Sequence, residues 1–310
     1  MGIVFQFLLL AAGFAMLVVG ADWFVDGAAG IAERLGIPHL VIGLTIVAMG
    51  TSAPEAAVSI TAALKGDAGI TIGNIVGSNI LNILVILGIA SVIVPIAVAK
   101  STVQAEIPYM LAITLLLLLL GSTGNEIVLW EGIVLWIAFL AYLGYLFRMA
   151  KKNKEEVRVE AEQQPVWKLL LLVVIGIGLI MWGSDLAVDA ATEIARTIGM
   201  SERFIGLTIV ALGTSLPELV TSVSAAVKGK ADIAIGNIVG SNIFNILFVV
   251  GTTALITPVV FEQKFVVDLL ISAAAGVLLW ACVFRDKKLS GTGGVLMLIG
   301  YAAYFVYLIK

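Results

Sequence analysis

Residues 43–95 read GLTIVAMGTSAPEAAVSITAALKGDAGITIGNIVGSNILNILVILGIASVIVP, and residues 206–258 read GLTIVALGTSLPELVTSVSAAVKGKADIAIGNIVGSNIFNILFVVGTTALITP. The two stretches are related by a constant offset of 163 residues without a gap, and 33 of the 53 positions are identical. Each copy is strongly apolar, yet each carries a glutamate directly after a proline, Glu55 and Glu218. Because a carboxylate is costly in hydrocarbon, an acid kept twice in such sequence predicts an ion or substrate path.

The composition around this repeat is that of a membrane protein. Of the 310 residues, 61% are hydrophobic and 13% are charged, which is more apolar surface than a soluble domain of this length can bury. The net charge of −3 comes without a basic face, so nothing supports nucleic-acid binding. The N-terminal apolar stretch lacks the positive start of a signal peptide, and we interpret it as the first membrane helix. A single cysteine, Cys282, excludes an internal disulfide.

The apolar runs predict ten membrane-spanning helices, each close to the roughly 20 residues that crossing requires. They lie near residues 3–29, 40–64, 69–94, 105–121, 127–147, 166–192, 204–227, 232–257, 265–284 and 291–309. Continuous apolar runs such as residues 115–120 contradict the alternation of a membrane β-barrel. The predicted fold class is therefore an all-α integral membrane protein.

One hydrophilic stretch, residues 148–165, divides the chain into a first five-helix repeat (1–147) and a second (166–310). If the N-terminus lies outside, thirteen Lys and Arg residues fall on the inner side and five on the outer side. This bias predicts that the 148–165 linker is cytoplasmic. Since five spans, an odd number, separate equivalent residues, the two copies should cross the bilayer in opposite directions, as an inverted repeat with its site near the midplane.

Each copy should also contain a broken helix. Proline has no N–H for the carbonyl four residues back, which belongs to Gly50 for Pro54 and to Gly213 for Pro217. Glycine at that position eases unwinding. We therefore expect both helices to break at the midplane and turn backbone oxygens inward, where protein or a wet cavity surrounds them.

The groups offered at the breaks are carbonyls, Thr and Ser hydroxyls, and one carboxylate in each copy. Hard cations such as Ca²⁺ and Na⁺ prefer these oxygen ligands, and the absence of Cys and His from both motifs argues against a zinc or copper site. Glu55 and Glu218 together supply the charge that one divalent ion needs.

A second polar motif follows in each copy. Asn74, Ser78 and Asn82 recur every four residues and form one polar stripe on an apolar helix, and Asn237, Ser241 and Asn245 repeat it. The glycines beside them are also typical of a small-residue packing face. Packing alone does not call for these amides and hydroxyls, so the stripe favours an ion-lining role.

The sequences GTSAPE and GTSLPE, each followed by GNIVGSN, resemble the paired α-repeats of the sodium/calcium exchanger family, within the cation/calcium antiporter superfamily. The resemblance covers essentially the whole chain. It implies a secondary antiporter that exchanges Na⁺ for Ca²⁺, with spans 2, 3, 7 and 8 forming a core and long spans 1 and 6 sliding past it to alternate access. No cofactor is implied, and the ions are the transported substrates.

The resemblance also implies an ion site with shared calcium carboxylates, threonines that donate hydroxyl and carbonyl oxygens, alanine carbonyls, serine ligands for Na⁺, and central amides. These ligands fall on Glu55, Glu218, Thr51, Thr214, Ala48, Ala211, Ser52, Ser215, Ser78, Ser241, Asn82 and Asn245. Potassium-dependent members carry Asp at the position of Asn245, so the amide here argues against potassium co-transport.

Three alternatives are open to test. Proton/calcium antiport on the same fold is the nearest, although that branch shows a GNA-type motif where this chain has Gly-Thr-Ser twice. An ion channel would give fast, uncoupled flux. An intramembrane hydrolase using Ser78 or Ser241 would need a base, and the only histidine, His39, has no copy in the second repeat.

Several further expectations concern the surroundings of the site. Asp22 with Asp26, and Asp185 with Asp189, form pairs four apart that either line access paths or cap helices in the headgroup zone. Five other acids are expected to be solvated loop residues: Glu106, Glu126, Glu131, Glu262 and Asp268. The expected location is a prokaryotic plasma membrane, with lipid and small cations as partners and a monomer as a plausible state.

Overall fold

A computed structural model describes residues 3–66, 68–152, 164–199 and 211–309, and these ranges are almost entirely helical. The helices are α1 Ile3–Leu35, α2 His39–Thr51, α3 Ala53–Leu64, α4 Ile70–Ile93, α5 Thr102–Gly124, α6 Leu129–Lys152, α7 Val166–Thr197, α8 Ala211–Thr214, α9 Leu216–Val227, α10 Ala231–Ile256, α11 Lys264–Phe284 and α12 Gly291–Ile309. Four two-residue strands pair antiparallel as β1 Ile96–Ala97 with β4 Lys288–Leu289, and β2 Glu126–Ile127 with β3 Val259–Val260. Both pairs join one half of the chain to the other.

Eight helices in these ranges are long and apolar enough to cross a membrane: α1, α4, α5, α6, α7, α10, α11 and α12. The pair α2–α3 passes the same test with a bend of 50°, which gives a ninth span if the pair is counted as one. The predicted span at 204–227 begins in residues that lie outside the described ranges, and only its later part is represented, by α8 and α9. The prediction of an all-helical membrane protein is confirmed.

Two helices form the interior of the bundle. In the most apolar window of α10, 94% of the residues are buried in protein, and in α4 the value is 78%. The other six long helices reach only 22% to 44%, because much of their apolar surface faces outward, where lipid would cover it. The two interior helices are those that carry the repeated Asn and Ser stripes.

Helices α1 and α7 pack closely along a seam of glycines. A Cβ on Gly13 would lie 2.8 Å from the carbonyl oxygen of Gly183, and one on Gly20 would lie 2.8 Å from that of Gly176. The contact points move toward the N-terminus of α7 as they move toward the C-terminus of α1, so the two helices are antiparallel. Only glycine allows backbones to approach this closely.

Both interior helices contain a π-helical segment that follows the polar stripe. In α4 the segment is Asn82–Leu87, and in α10 it is Asn245–Val250. In the described residues, two further π-helical segments are Gly43–Val47 within α2 and Thr102–Glu106 at the start of α5. Such segments are rare and often occur at functional sites, and the 3.6-residue pattern of the sequence does not predict them.

Candidate ion-binding site

The predicted helix break is present at the first motif. Ser52, with φ −82° and ψ 8°, separates α2 from α3, and Pro54 lies in the first turn after the break. At the second motif, Ser215 with φ −95° and ψ 4° separates α8 from α9 in the same way. The carbonyl of Gly213, which Pro217 leaves without its usual donor, accepts a hydrogen bond of 2.9 Å from the Ser184 hydroxyl.

The two predicted acids lie inside the protein and close to one another's motif. Glu55 and Glu218 are each 1% exposed, and their carboxyl groups are near enough to interact electrostatically. The Ser52 hydroxyl donates to Glu218 Oε1 at 2.8 Å, and the Ser78 hydroxyl lies 3.5 Å from Glu55 Oε1. The acid of the second half is thus bonded by the motif of the first half, whereas Glu55 is contacted by the polar stripe of its own half.

Thr51, Ala48 and Ser241 are also brought together. The Thr51 hydroxyl can donate to one of three oxygens: the carbonyls of Val47 (3.2 Å) and Ala48 (3.3 Å) or the side-chain oxygen of Asn237 (3.0 Å). The Ser241 hydroxyl lies 3.3 Å from the same Ala48 carbonyl. The first motif therefore contacts the polar stripe of the second half.

The second motif places its residues less uniformly. Ser215 is buried, and its hydroxyl has no hydrogen-bond partner. Thr214 is half-buried and lines a cavity beside α7. Ala211 begins α8, directly after the residues that lie outside the described ranges.

Each polar stripe contacts the glutamate helix of its own half through the same pair of bonds. The Asn74 amide donates to the Glu55 carbonyl at 3.3 Å and to Ser59 Oγ at 3.0 Å. The Asn237 amide donates to the Glu218 carbonyl at 3.4 Å and to Ser222 Oγ at 2.9 Å. Ser59 and Ser222 are equivalent at the offset of 163, and this recurrence is the one signal in the sequence that points to them.

A second set of bonds joins the two stripes to each other through Asn79 and Asn242, residues that the four-residue spacing of the stripe leaves out. The Asn82 amide donates to Asn242 Oδ1 at 2.9 Å, and the Asn245 amide donates to Asn79 Oδ1 at 3.1 Å. The two bonds are equivalent at the offset of 163. The predicted central amides therefore lie where α4 and α10 meet.

Among the residues that the structure describes, five buried oxygens around this network have no hydrogen-bond partner. They are Glu55 Oε2, Glu218 Oε2, Ser215 Oγ, Asn82 Oδ1 and Asn245 Oδ1. Buried oxygens in proteins normally accept or donate at least one hydrogen bond, so a group of buried oxygens without partners indicates a ligand site. Carboxylate, hydroxyl and amide oxygens together are the donor set of a hard cation. In the ranges described above, no cluster of three or more His, Cys, Asp and Glu residues competes with this set.

The expectation that five other acids are solvated loop residues is wrong for three of them. Asp268 lies within α11, is half-buried and accepts a hydrogen bond of 3.1 Å from the Tyr304 hydroxyl. Glu106 is 1% exposed and Glu131 is 2% exposed. Glu131 accepts hydrogen bonds from the Val128 N–H (2.8 Å) and the Thr123 hydroxyl (3.2 Å), which explains its burial at the start of α6. Glu106 is buried because α5 begins at Thr102, three residues before the predicted span, so the acid lies one turn inside the helix.

Comparison with known proteins identifies the family of the chain. The family model described as "Sodium/calcium exchanger protein" matches residues 5–148 and 168–310. The chain is 43% identical to a putative antiporter, CaxA, of Alkalimonas amylolytica, over 81% of this chain and 80% of the relative. It is 30% identical to the sodium/calcium exchanger MaX1 of Methanosarcina acetivorans, over 98% of each chain.

A solved structure has the same fold. The sodium-calcium exchanger NCX_Mj, soaked with zero Na⁺ and Ca²⁺, superposes with a TM-score of 0.86 at 31% identity, covering 99% of this chain and 100% of the other. The match therefore includes the halves on both sides of the 148–165 linker. The chain belongs to the sodium/calcium exchanger family of membrane transporters.

Proposed function

We propose that the protein is a secondary active antiporter that exchanges Na⁺ for Ca²⁺ across the plasma membrane by alternating access. The observation that carries the proposal is the group of unpartnered buried oxygens around Glu55 and Glu218. A charged side chain in the membrane interior costs about 3 kcal/mol on insertion-type scales. Two neighbouring carboxylates therefore need cations, and the hydroxyl and amide oxygens around them complete a ligand set for Ca²⁺ or Na⁺.

The ligands we assign are the twelve oxygen-bearing positions of the two motifs and stripes. Glu55 and Glu218 are the shared carboxylates, Thr51 and Thr214 the hydroxyl donors, and Ala48 and Ala211 the carbonyl donors. The remaining ligands are Ser52, Ser215, Ser78, Ser241, Asn82 and Asn245. Because Ca²⁺ and several Na⁺ would use overlapping oxygens, full occupancy by one ion excludes the other, and this competition couples the two fluxes.

The topology that suits this mechanism has ten spans in two inverted halves, 1–147 and 166–310, with the N-terminus outside and the 148–165 linker cytoplasmic. The antiparallel packing of α1 against α7 supports the inversion, because these helices are equivalent at the offset of 163. The reciprocal bonds between the Asn residues of α4 and α10 support it as well.

An asymmetry between the two halves supports alternating access. On one side of the proposed membrane, Lys228 forms ion pairs with two acids of α1: its Nζ lies 2.9 Å from Asp26 Oδ2 and 3.4 Å from Asp22 Oδ1. The Ser224 hydroxyl also donates a hydrogen bond to Asp22 at 2.6 Å. We refer to Asp22, Asp26, Ser224 and Lys228 as the α1 latch. It ties the second half of α1 to the end of α9.

On the other side, the equivalent acids of α7 line a cavity instead. Asp185 and Asp189 lie on the wall of a cavity of about 480 Å³ that extends to Pro54, Gly213 and Thr214. Lys65, which is equivalent to Lys228, is exposed and lines a neighbouring cavity. With the N-terminus outside, this arrangement is one in which ions reach the site from outside and the α1 latch closes the cytoplasmic path.

The test is a flux assay in vesicles with separately imposed gradients. Vesicles loaded with Na⁺ should take up radioactive calcium, whereas a pH gradient alone should not drive uptake. Calcium uptake that follows the pH gradient and ignores Na⁺ would identify a proton/calcium antiporter. If more than two sodium charges move per calcium, an imposed membrane potential will change the rate, which a voltage-independent exchange would not show.

Two substitutions tie the flux to the site. Glu55→Gln and Glu218→Gln keep the side-chain shape and remove one charge each, so each should abolish exchange in folded protein. Glu126→Gln, at an exposed acid, is the matched control and should leave the rate unchanged. Flux that persists in both site variants would contradict the assignment of the carboxylates.

A further inference from the structure

A further cavity, with mostly apolar walls, lies away from the transport site, between α5 and α6. Its volume is about 290 Å³, and it is lined by Ala105, Glu106, Tyr109, Ala141, Tyr142 and Tyr145. Glu106 is the last residue of the π-helical segment at the start of α5, and this residue is 1% exposed. We refer to Glu106 and the three tyrosines as the tyrosine pocket.

The carboxylate of this pocket is only partly satisfied. The Tyr145 hydroxyl donates a hydrogen bond to Glu106 Oε1. The hydroxyls of Ser101 and Thr102 are near the carboxylate, but Glu106 Oε2 is buried without a hydrogen-bond partner. The buried hydroxyl of Tyr142 also has no partner. In the part of the chain that the structure describes, no ion pair includes Glu106, so its charge has no protein counterion.

The aromatic wall of the pocket is held in place by its own contacts. The rings of Tyr109 and Tyr142 stack with centroids 5.5 Å apart and planes 8° apart. The Tyr109 hydroxyl donates to the Ala138 carbonyl at 2.9 Å, which fixes this ring against α6. The pocket therefore combines a rigid aromatic surface with a buried acid, a pairing that suits an organic cation.

The pocket belongs to one half of the chain only. At the offset of 163, the counterparts of Glu106 and Tyr109 are Leu269 and Ser272. The transport residues, in contrast, occur in both halves. Conservation of the internal repeat therefore does not account for the pocket.

We propose that the tyrosine pocket binds an ammonium group, with Glu106 as its counterion and the tyrosine rings as its wall. Inorganic Ca²⁺ takes six to eight oxygen ligands, and this pocket offers one carboxylate and a few hydroxyls within mostly apolar walls. An alkylammonium ion fits better, because its charge is satisfied by one acid and its carbon atoms contact the rings.

Because of its position along the membrane spans, the pocket can receive this ammonium group from two sources. Glu106 lies six residues after Lys100, and Tyr145 lies three residues before Arg148, so the pocket is near one end of the membrane spans. The amine of a phospholipid headgroup reaches this level, and so does a small amine dissolved in water. Both present the same chemistry to Glu106.

The experiment measures thermal unfolding of the purified full-length protein in buffers free of other amines. Ethanolammonium chloride should raise Tm progressively, whereas potassium chloride of the same ionic strength should not. In nanodiscs, phosphatidylethanolamine should raise Tm above the value in phosphatidylglycerol if the lipid headgroup is the source. A rise in either experiment that depends on Glu106 supports the pocket and identifies its ligand.

Three variants make the result specific. Glu106→Gln should increase the half-saturating concentration about tenfold or more, because a bond to a charged acceptor is lost. Glu126→Gln and the transport variant Glu55→Gln should keep the wild-type response. If Glu106→Gln does not fold, Tyr142→Leu, which removes one stacked ring, should weaken the response instead. No Tm rise in either medium, or equal rises in wild type and in the pocket variant, would overturn the proposal.

Discussion

Asn79 and Asn242 bond each other's backbone: the Asn79 amide donates to the Asn242 carbonyl at 3.3 Å, and the Asn242 amide donates to the Asn79 carbonyl at 3.2 Å. The two residues are equivalent at the offset of 163 and lie at 2% and 1% exposure. This reciprocal pair joins the interior helices α4 and α10 beside the ion site. A reciprocal contact of this kind is what an approximate two-fold relation between the halves produces.

The pair predicts equal effects of substitution in the two halves. Asn79→Ala and Asn242→Ala each remove one amide and leave a buried carbonyl without that donor, at a cost of about 1–3 kcal/mol each. Thermal unfolding in detergent, followed by tryptophan fluorescence, should show similar decreases in Tm. A neutral effect of one variant beside a strong effect of the other would contradict the pseudo-symmetric contact.

The two serines at the helix breaks should behave differently from one another. Ser52 Oγ donates to Glu218, so Ser52→Ala should lower the ion-free Tm, since it removes a bond to a charged group worth about 1.5–3 kcal/mol. Ser215 Oγ has no protein partner, so Ser215→Ala should leave the ion-free Tm nearly unchanged. As a proposed ligand, Ser215 should instead contribute to the rise in Tm on adding Ca²⁺ or Na⁺. Equal ion-free Tm values for the two variants would contradict this difference.

The α1 latch predicts a change in access to α9. In a Cys282→Ala background, Thr221→Cys places a thiol at a fully buried position between Glu218 and Lys228. Adding Lys228→Ala should speed labelling by a charged thiol reagent by a factor of up to about five, as expected for a partly exposed ion pair. Val58→Cys is the equivalent position in the first half, is 43% exposed on the open cavity, and should react fast with or without Lys228. Unchanged labelling at position 221 would show that the latch does not close the path.

The glycine seam predicts opposite signs for two glycine substitutions. Gly20→Ala would place a Cβ 2.8 Å from the Gly176 carbonyl oxygen, so α1 and α7 must separate and the variant should unfold at lower temperature, at a cost of about 1–3 kcal/mol. Gly178→Ala, on α7 with no atom within 4 Å of its Cβ position, should instead stabilise the helix by about 0.5–1 kcal/mol. A Tm for Gly20→Ala at or above wild type would argue against the close seam.

Much of the site could be predicted from local sequence. A proline removes one particular hydrogen bond, so the breaks at Ser52 and Ser215 follow from Pro54 and Pro217 alone. The residues four apart also predict one helix face, and two of them, Asn74 and Ser78, lie next to Glu55. These features depend only on chemistry within one turn of helix.

Other features depend on contacts between distant segments. The roles of Asn79 and Asn242 appear only when α4 lies against α10, which no spacing within one helix specifies. The burial of Glu106 depends on where α5 begins, and helix boundaries are the least reliable part of a sequence prediction. The π-helical segments are likewise invisible to an analysis that assumes 3.6 residues per turn.

The π-helical segments that begin at Asn82 and Asn245 also constrain how such chains change over time. A π turn holds more residues than an α turn and takes up the extra residue as a local bulge. Loss of a single residue from the regular α-helical part of α4 would instead rotate one end of the helix by about 100° relative to the other. The amide side chains on one end of the helix would then face a different direction relative to the other end. Length changes are therefore tolerable in the loops but not along the α-helical parts of these two interior helices.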